Sequence, residues 1–272
     1  MRYAVAIVVA MLLPARPGLA AEELVYRGEL GRVAEYRVTT KATGRQISLG
    51  ERRPIEVEAE YEVREEVVAC DPDGSFRIQV TGRAVTVNDR SRAFGGQRFE
   101  PPPVQIHVSP RGEILGAGAI PEDGLTSLRA NAAAALLGQC LPVIMPSGPL
   151  EPGDRWEWEE GDAKQSNRLV EVTGGTSRVA RVSGTAHAPI VLQERSEALG
   201  LTTEMTGMGR QTSTLDLLLD SGLVLRHKGN LALQTKTKVR MESPEGPRTF
   251  LIEMHLRVEF DSRLIRLGGK PV

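Results

Sequence analysis

Residues 55–64 alternate without a break: Ile55, Val57, Ala59, Tyr61 and Val63 interleave with Glu56, Glu58, Glu60, Glu62 and Arg64. Successive side chains of a strand point to opposite faces, so a period of two over ten residues specifies a β-strand and excludes a helix. One face must be buried and the other acidic and wet. A chain that carries such a strand needs partners for its backbone and a cover for its apolar face, which points to a sheet protein.

Other segments repeat the pattern. Phe76, Ile78 and Val80 follow the turn Asp71-Pro72-Asp73-Gly74. The apolar frame then moves by one residue to Val85 and Val87, just past Gly82, which predicts a β-bulge or bend there. A hairpin is expected near the C-terminus. Leu231, Leu233, Val239 and Met241 share one face, and Gln234, Lys236, Lys238 and Arg240 share the other. The chain turns at 242–247 and returns with Phe250, Ile252, Met254, Leu256, Val258 and Phe260 on one face. The outward row of the return strand carries Glu253, Arg257 and Glu259, and opposite charges can pair across the two strands. A second hairpin centres on Asp220-Ser221-Gly222.

One segment reads as helix. Pro121-Glu122-Asp123 places negative charge at an N-terminus, with Asp123 as cap. Leu125, Leu128, Ala132 and Leu136 follow at helical spacing, and Gly138 ends the run. An amphipathic helix over 123–139 is expected, either packed on a sheet or forming a lid over an apolar cavity. The expected architecture is all-β: two antiparallel curved sheets or half-barrels with this helix.

Residues 1–20 read as a cleavable export signal. Arg2 is basic, Tyr3 to Leu13 are apolar, and Gly18-Leu19-Ala20 supply small residues for cleavage. Eleven apolar residues span about 16 Å as a helix, too short for a bilayer core. No Cys follows, which argues against a lipid anchor, and no later stretch could form a transmembrane helix. The mature protein is therefore expected in the periplasm or secreted. Without the signal it carries 32 basic and 35 acidic residues, a balance that excludes nucleic acid as a partner. Cys70 and Cys140 are a candidate disulfide in an oxidising compartment, with two buried thiols as the alternative.

Four prolines and two glycines between Pro142 and Gly153 mark a crossing between an N-terminal lobe, 21–147, and a C-terminal lobe, 148–272. The halves echo each other. Val67-Val68 and residues 76–84 resemble Leu169-Val170 and residues 178–186, and residues 108–115 resemble 218–225. Internal duplication accounts for this, and so does the chance likeness of alternating β sequences.

The strand, D-x-G turn, V-x-G-x-A strand and G-x-(I/V)-L strand resemble one lobe of a family of exported bacterial two-lobed β proteins of uncharacterised function. The linker Leu141-Pro142 to Pro149-Leu-Glu-Pro-Gly153-Asp154-Arg-Trp156 is similar to the entry into the second lobe of that family. The resemblance implies a fold like the open half-barrels of bacterial lipoprotein carriers and envelope lipid-binding proteins. It transfers no catalytic residue.

Residues that could carry chemistry are sparse. His107, His187, His227 and His255 stand singly, so no metal site is expected, and each reads as a surface or strand histidine. No G-x-S-x-G elbow and no phosphate-binding glycine loop occurs. Glu65-Glu66 and Glu159-Glu160 read as solvated surface. Trp156 and Trp158, two apart on one strand face, serve packing or wall an apolar ligand site. With Leu125, Leu128 and Leu136 of the expected helix, they are the candidate ligand-binding residues.

These readings predict a non-enzymatic envelope protein without a cofactor, binding a lipid or other apolar molecule in a concave sheet. A structural or protein-interaction module of the envelope is the alternative, and a hydrolase with a spatially assembled site is a third.

Overall fold

The computed structural model describes residues 21–91, 103–119, 143–175, 177–196, 200–242 and 246–272. They form a single antiparallel sheet of twelve strands. The strands are β1 (Val33–Ser48), β2 (Glu51–Cys70), β3 (Phe76–Asp89), β4 (Val104–Val108), β5 (Ile114–Ala119), β6 (Arg155–Glu160), β7 (Ala163–Thr173), β8 (Val179–Ser196), β9 (Leu201–Leu218), β10 (Leu223–Met241), β11 (Arg248–Leu267) and the short β12 (Lys270–Pro271). Their order is β5-β4-β3-β2-β1-β11-β10-β9-β8-β7-β6, with β12 beside β11.

The expected pair of sheets is corrected to one. The reason is β1, which pairs with β2 on one side and with β11 on the other along its full length, from Ala34↔Leu267 to Ser48↔Ile252. A strand shared in this way leaves no gap where two sheets could separate. The expected helix over 123–139 and the export signal over 1–20 lie outside the described residues. Among the described residues there is no helix.

The halves of the sheet repeat. β1–β5 and β6–β10 are five-stranded meanders that run across the sheet in the same sense, with β11 between them. Each bulges at the position the sequence echo marks. Val68 is extra between Val67↔Ile78 and Ala69↔Arg77, and Val170 is extra between Leu169↔Val182 and Glu171↔Arg181. The bulge expected past Gly82 is at Val85, between Tyr61↔Ala84 and Glu60↔Thr86.

The two faces differ as the alternation requires. Residues 55–63 of β2 are buried at every odd position and half-buried at every even one. Along one face, the rung Leu169, Val182, Leu215, His227, Ser262 and Val38 crosses from β7 to β1. The neighbouring rung of the other face is ionic. Arg181 Nη1 lies 2.6 Å from Glu171 and its Nε 2.7 Å from Asp216. Arg226 Nε donates to Asp261 at 2.8 Å, and Arg37 Nε lies 3.2 Å from Glu60. Exposed pairs of this kind contribute only about 0–1 kcal/mol each. They fix register more than they stabilise, since a slip of one residue would bring charges onto the apolar face.

Two segments cross the apolar face at one end. Residues 21–27 and 143–150 join each other through Glu22 and Leu150, whose backbone groups exchange two 2.8 Å hydrogen bonds. Leu24, Val143 and Met145 pack there with Trp156, Leu169, Val182 and Leu217. The proline-rich crossing is thus part of the core. Trp156 Nε1 donates to the Ile144 carbonyl at 2.7 Å, and Gln165 Oε1 accepts from Ile144 N at 3.0 Å.

Candidate functional site

Beside the crossing segments the apolar face lines a partly open cavity of about 170 Å³. Its walls come from both halves of the sheet: Phe76, Ile78 and Ile106 on one side, Leu215 and Leu223 on the other. β4 and β9 lie six places apart in the strand order, about 29 Å in a flat sheet. That both reach one cavity means the sheet curls around its apolar face at this end. Tyr26 and Val143 of the crossing segments also line it, and Tyr26 Oη donates to the Val143 carbonyl at 3.0 Å. Protein interiors seldom leave voids larger than a water molecule, so a space of this size calls for an occupant or a reason.

Few polar groups reach the cavity, and they lie in two places. Tyr36, Glu65 and Arg32 form the first. Burial raises the Tyr36 phenol well above its ordinary value, and the Glu65 charge adds to this while Arg32 opposes it. Arg32 Nη1 donates to the Ser221 carbonyl at 3.0 Å, which ties this corner to the β9–β10 turn. The expectation that Glu65-Glu66 is solvated surface is corrected for Glu65. It shares the face of Val63 and Val67, and only Glu66 points outward, to Arg64 at 2.8 Å.

His227 is the second. It sits between Leu215 and Ser262 in the middle of the apolar face and lines the cavity. Its ring meets the Phe260 ring edge-on, with centroids 5.1 Å apart. Nε2 is buried with no hydrogen-bond partner. Burial lowers the imidazole pKa to about 4, so the ring is neutral at pH 7. Of the two readings, surface or strand histidine, His227 takes the second: it is a strand residue of β10, and it faces inward. The signal was present, since Leu223, Leu225, His227, Gly229 and Leu231 are one alternating frame.

The polar face is also concave. A basin of about 1060 Å³ is lined by residues from β3 to β7, among them Glu58, Thr86, Arg168, Ser183 and Thr214. A second of about 1000 Å³ shares Lys41, Ser166, Thr185, Thr212 and Asn230 with it, so the two form one trough. At its rim Arg155 and Arg168 are directly paired residues of β6 and β7.

Trp156 and Trp158 line neither the cavity nor the trough. Trp156 is buried under the crossing segment, and Trp158 is half-buried. Leu125, Leu128, Leu136 and Cys140 lie outside the described residues, and Cys70 is an exposed free thiol at the end of β2.

A Ser, a His and an Asp do meet at the β2–β3 turn. His107 Nε2 lies 3.0 Å from Ser75 Oγ and 3.2 Å from Asp71 Oδ2. Nucleophilic catalysis needs the carboxylate on the other ring nitrogen, to orient the base. Here serine and aspartate share one nitrogen, Ser75 is buried, and its hydroxyl donates to Asp73 at 2.7 Å. The cluster braces a turn. Among the described residues no group of three or more His, Cys, Asp or Glu side chains could hold a metal ion.

No protein-family model matches the chain, and no curated protein matches it. Among solved structures it is similar to lipovitellin, in a study of lipid–protein interactions, at 12% identity and a TM-score of 0.46. That match covers 90% of this chain and 26% of the other, so the chain spans about a quarter of the lipovitellin chain. It is also similar to an outer membrane channel from Pseudomonas putida F1, at 8% identity and a TM-score of 0.21, covering 86% of this chain and 97% of that one. Likenesses this distant assign neither family nor function.

Proposed function

We propose that this protein binds an apolar molecule, or the apolar end of a lipid, in the cavity of about 170 Å³ beneath its sheet, outside the cytoplasm and without catalysing a reaction. The observation that carries the reading is the composition of the walls. Aliphatic and aromatic side chains from both halves of the sheet converge on one space, with polar groups at two places. This is the usual make-up of a small-molecule site. Apolar cavities of about 150 Å³ stay dry and take up benzene-sized molecules. Each methylene that enters contributes about 0.8 kcal/mol.

Native mass spectrometry of the purified protein, followed by organic extraction, tests the reading. An apolar adduct at stoichiometric ratio is expected, and Ile106→Trp, which fills the space, should lose it while remaining folded. An adduct-free mass together with no saturable uptake of small hydrocarbons would overturn it.

One observation favours a protein-interaction module. β5 ends the sheet among the described residues with uncharged side chains, and Ile114 and Leu115 are about half exposed. The opposite edge, β6, carries Arg155, Glu157, Glu159 and Glu160. Charged edges discourage strand addition and apolar edges invite it. Under this reading the protein self-associates or captures a strand, and Leu115→Lys abolishes that, as read by light scattering.

A further inference from the structure

A hydrogen-bonding group in the middle of an apolar face needs a reason to be there. His227 Nε2 is sealed from water and has no partner. Leaving a buried polar atom unsatisfied costs about 1–3 kcal/mol, and replacing it with an apolar group of similar shape removes that cost. Its cross-strand neighbours are Leu215 and Ser262, and with Leu223 and the edge-on Phe260 ring they make surroundings that Leu, Met or Phe would suit. The imidazole is not part of the ionic rungs, because it faces away from them.

We propose that the cavity ligand carries a hydroxyl or carbonyl group, and that His227 is the residue that recognises it. The inference rests on the binding reading above and narrows its ligand from any hydrocarbon to an apolar body with a single polar group. A neutral imidazole offers one N–H donor and one nitrogen acceptor, so it can meet an alcohol, a phenol or a carbonyl, and its ring torsion is soft enough to turn toward the guest. Burial keeps the ring neutral across the physiological range, so the recognition is a neutral hydrogen bond and needs no charged ligand. A site built to hydrogen-bond a hydroxyl rejects the analogue that lacks it far more strongly than an apolar pocket rejects one extra methyl.

Two probes of nearly equal shape test this: p-cresol and p-xylene, which differ by a hydroxyl in place of a methyl. Calorimetric titration is done on the full protein and on His227→Phe, which keeps an aromatic ring. The preference for p-cresol over p-xylene should fall about tenfold in the variant, the worth of one hydrogen bond. Uptake of p-xylene should be kept or improved. In the unmodified protein, the imidazole ¹⁵N resonances of His227 should shift with p-cresol and stay in place with p-xylene, a readout that does not depend on the variant folding. Binding of both probes with no preference that depends on His227, or with unchanged imidazole resonances, overturns the inference and leaves the binding reading intact. Failure of both probes to bind the unmodified protein overturns both.

Discussion

Gly112 and Gly222 occupy matching positions in two equivalent turns, β4–β5 and β9–β10, and residues 25–27 pass against both. A Cβ on Gly112 would lie 2.5 Å from the Tyr26 ring and 2.9 Å from the Val143 carbonyl. A Cβ on Gly222 would lie 2.4 Å from Arg27 N and 2.6 Å from the Val25 carbonyl. The repeat therefore does more than duplicate strands. It makes two notches, one in each half of the sheet, and the crossing segment, whose Tyr26 lines the cavity, rests in both.

Gly112→Ala should destabilise the protein by about 2–5 kcal/mol. Part is the left-handed backbone, φ +91°, which a Cβ disfavours by about 1–2 kcal/mol. The rest is the clash with Tyr26 and Val143, in the range of roughly 1–3 kcal/mol for overpacking. Gly31→Ala separates the two. Gly31 has φ +79° and nothing within 4 Å of the added carbon, so only the backbone cost of about 1–2 kcal/mol remains. Urea unfolding of the two variants checks the difference, and equal losses would count against the notch.

His227 makes stability depend on pH in a defined window. Its pKa is lowered to about 4 in the folded protein, against an ordinary value of 6.5. As pH falls below 6.5 the unfolded chain takes up a proton that the folded chain cannot bind until about pH 4. Stability is therefore complete above 6.5 and declines through that window, by roughly 3 kcal/mol in all. His227→Phe should remove this part of the decline. Unfolding free energies at pH 7.5, 5.5 and 4.5 for both proteins give the comparison, and parallel curves would show that the ring titrates freely.

Alternation made much of this fold legible. Burial over Ile55–Val63 follows the sequence residue by residue, as do the bulge past Gly82 and the hairpin that sets Lys236 3.2 Å from Glu253. The echo at Val68 and Val170 was visible as a motif and proved to be a pair of bulges. The junction of the halves was not legible. β1 and β11 are separated by most of the chain, and a period of two says which face a residue takes but not which strand lies beside it. The cavity was hidden for the same reason, because Ile106 and Leu215 meet only through the curl of the whole sheet. Glu65 and His227 were legible and overlooked. Each continues an apolar frame, and each was read by its residue type instead of its position.

Trp156 should matter more than Trp158, although the sequence presents them alike. Trp156→Phe leaves the buried Ile144 carbonyl without its donor, at a cost of about 1–3 kcal/mol. Trp158 is half-buried, and Trp158→Phe should stay within about 0.5 kcal/mol. In the Trp158→Phe protein the remaining indole is Trp156, so its emission should be that of a buried ring and should shift to the red on unfolding. Equal losses in the two variants would mean that the crossing segment is not anchored at Ile144.

Arg155 and Arg168 stand directly opposite each other on β6 and β7, and neither has an ion-pair partner among the described residues. Two acids of the same face are engaged elsewhere, Glu171 with Arg181 and Glu159 with Lys164 at 3.0 Å, and Glu157 stands opposite Ser166. Like charges directly opposed on a sheet are unfavourable by a few tenths of a kcal/mol, up to about 1. Arg155→Gln should therefore raise stability slightly at low ionic strength, which is the reverse of most substitutions. The gain should fade as salt is added, because exposed charges are screened over about 8 Å at physiological ionic strength. Arg181→Gln is the contrast, since it breaks pairs with both Glu171 and Asp216 and should lower stability by up to about 1 kcal/mol under the same conditions. Thermal unfolding at 20 mM and 500 mM salt, both values on the order of the screening extremes, reads the two effects with opposite signs. A loss of stability in Arg155→Gln at low salt would mean that the pair is held apart by the curl of the sheet edge and that the rim of the trough carries no repulsion.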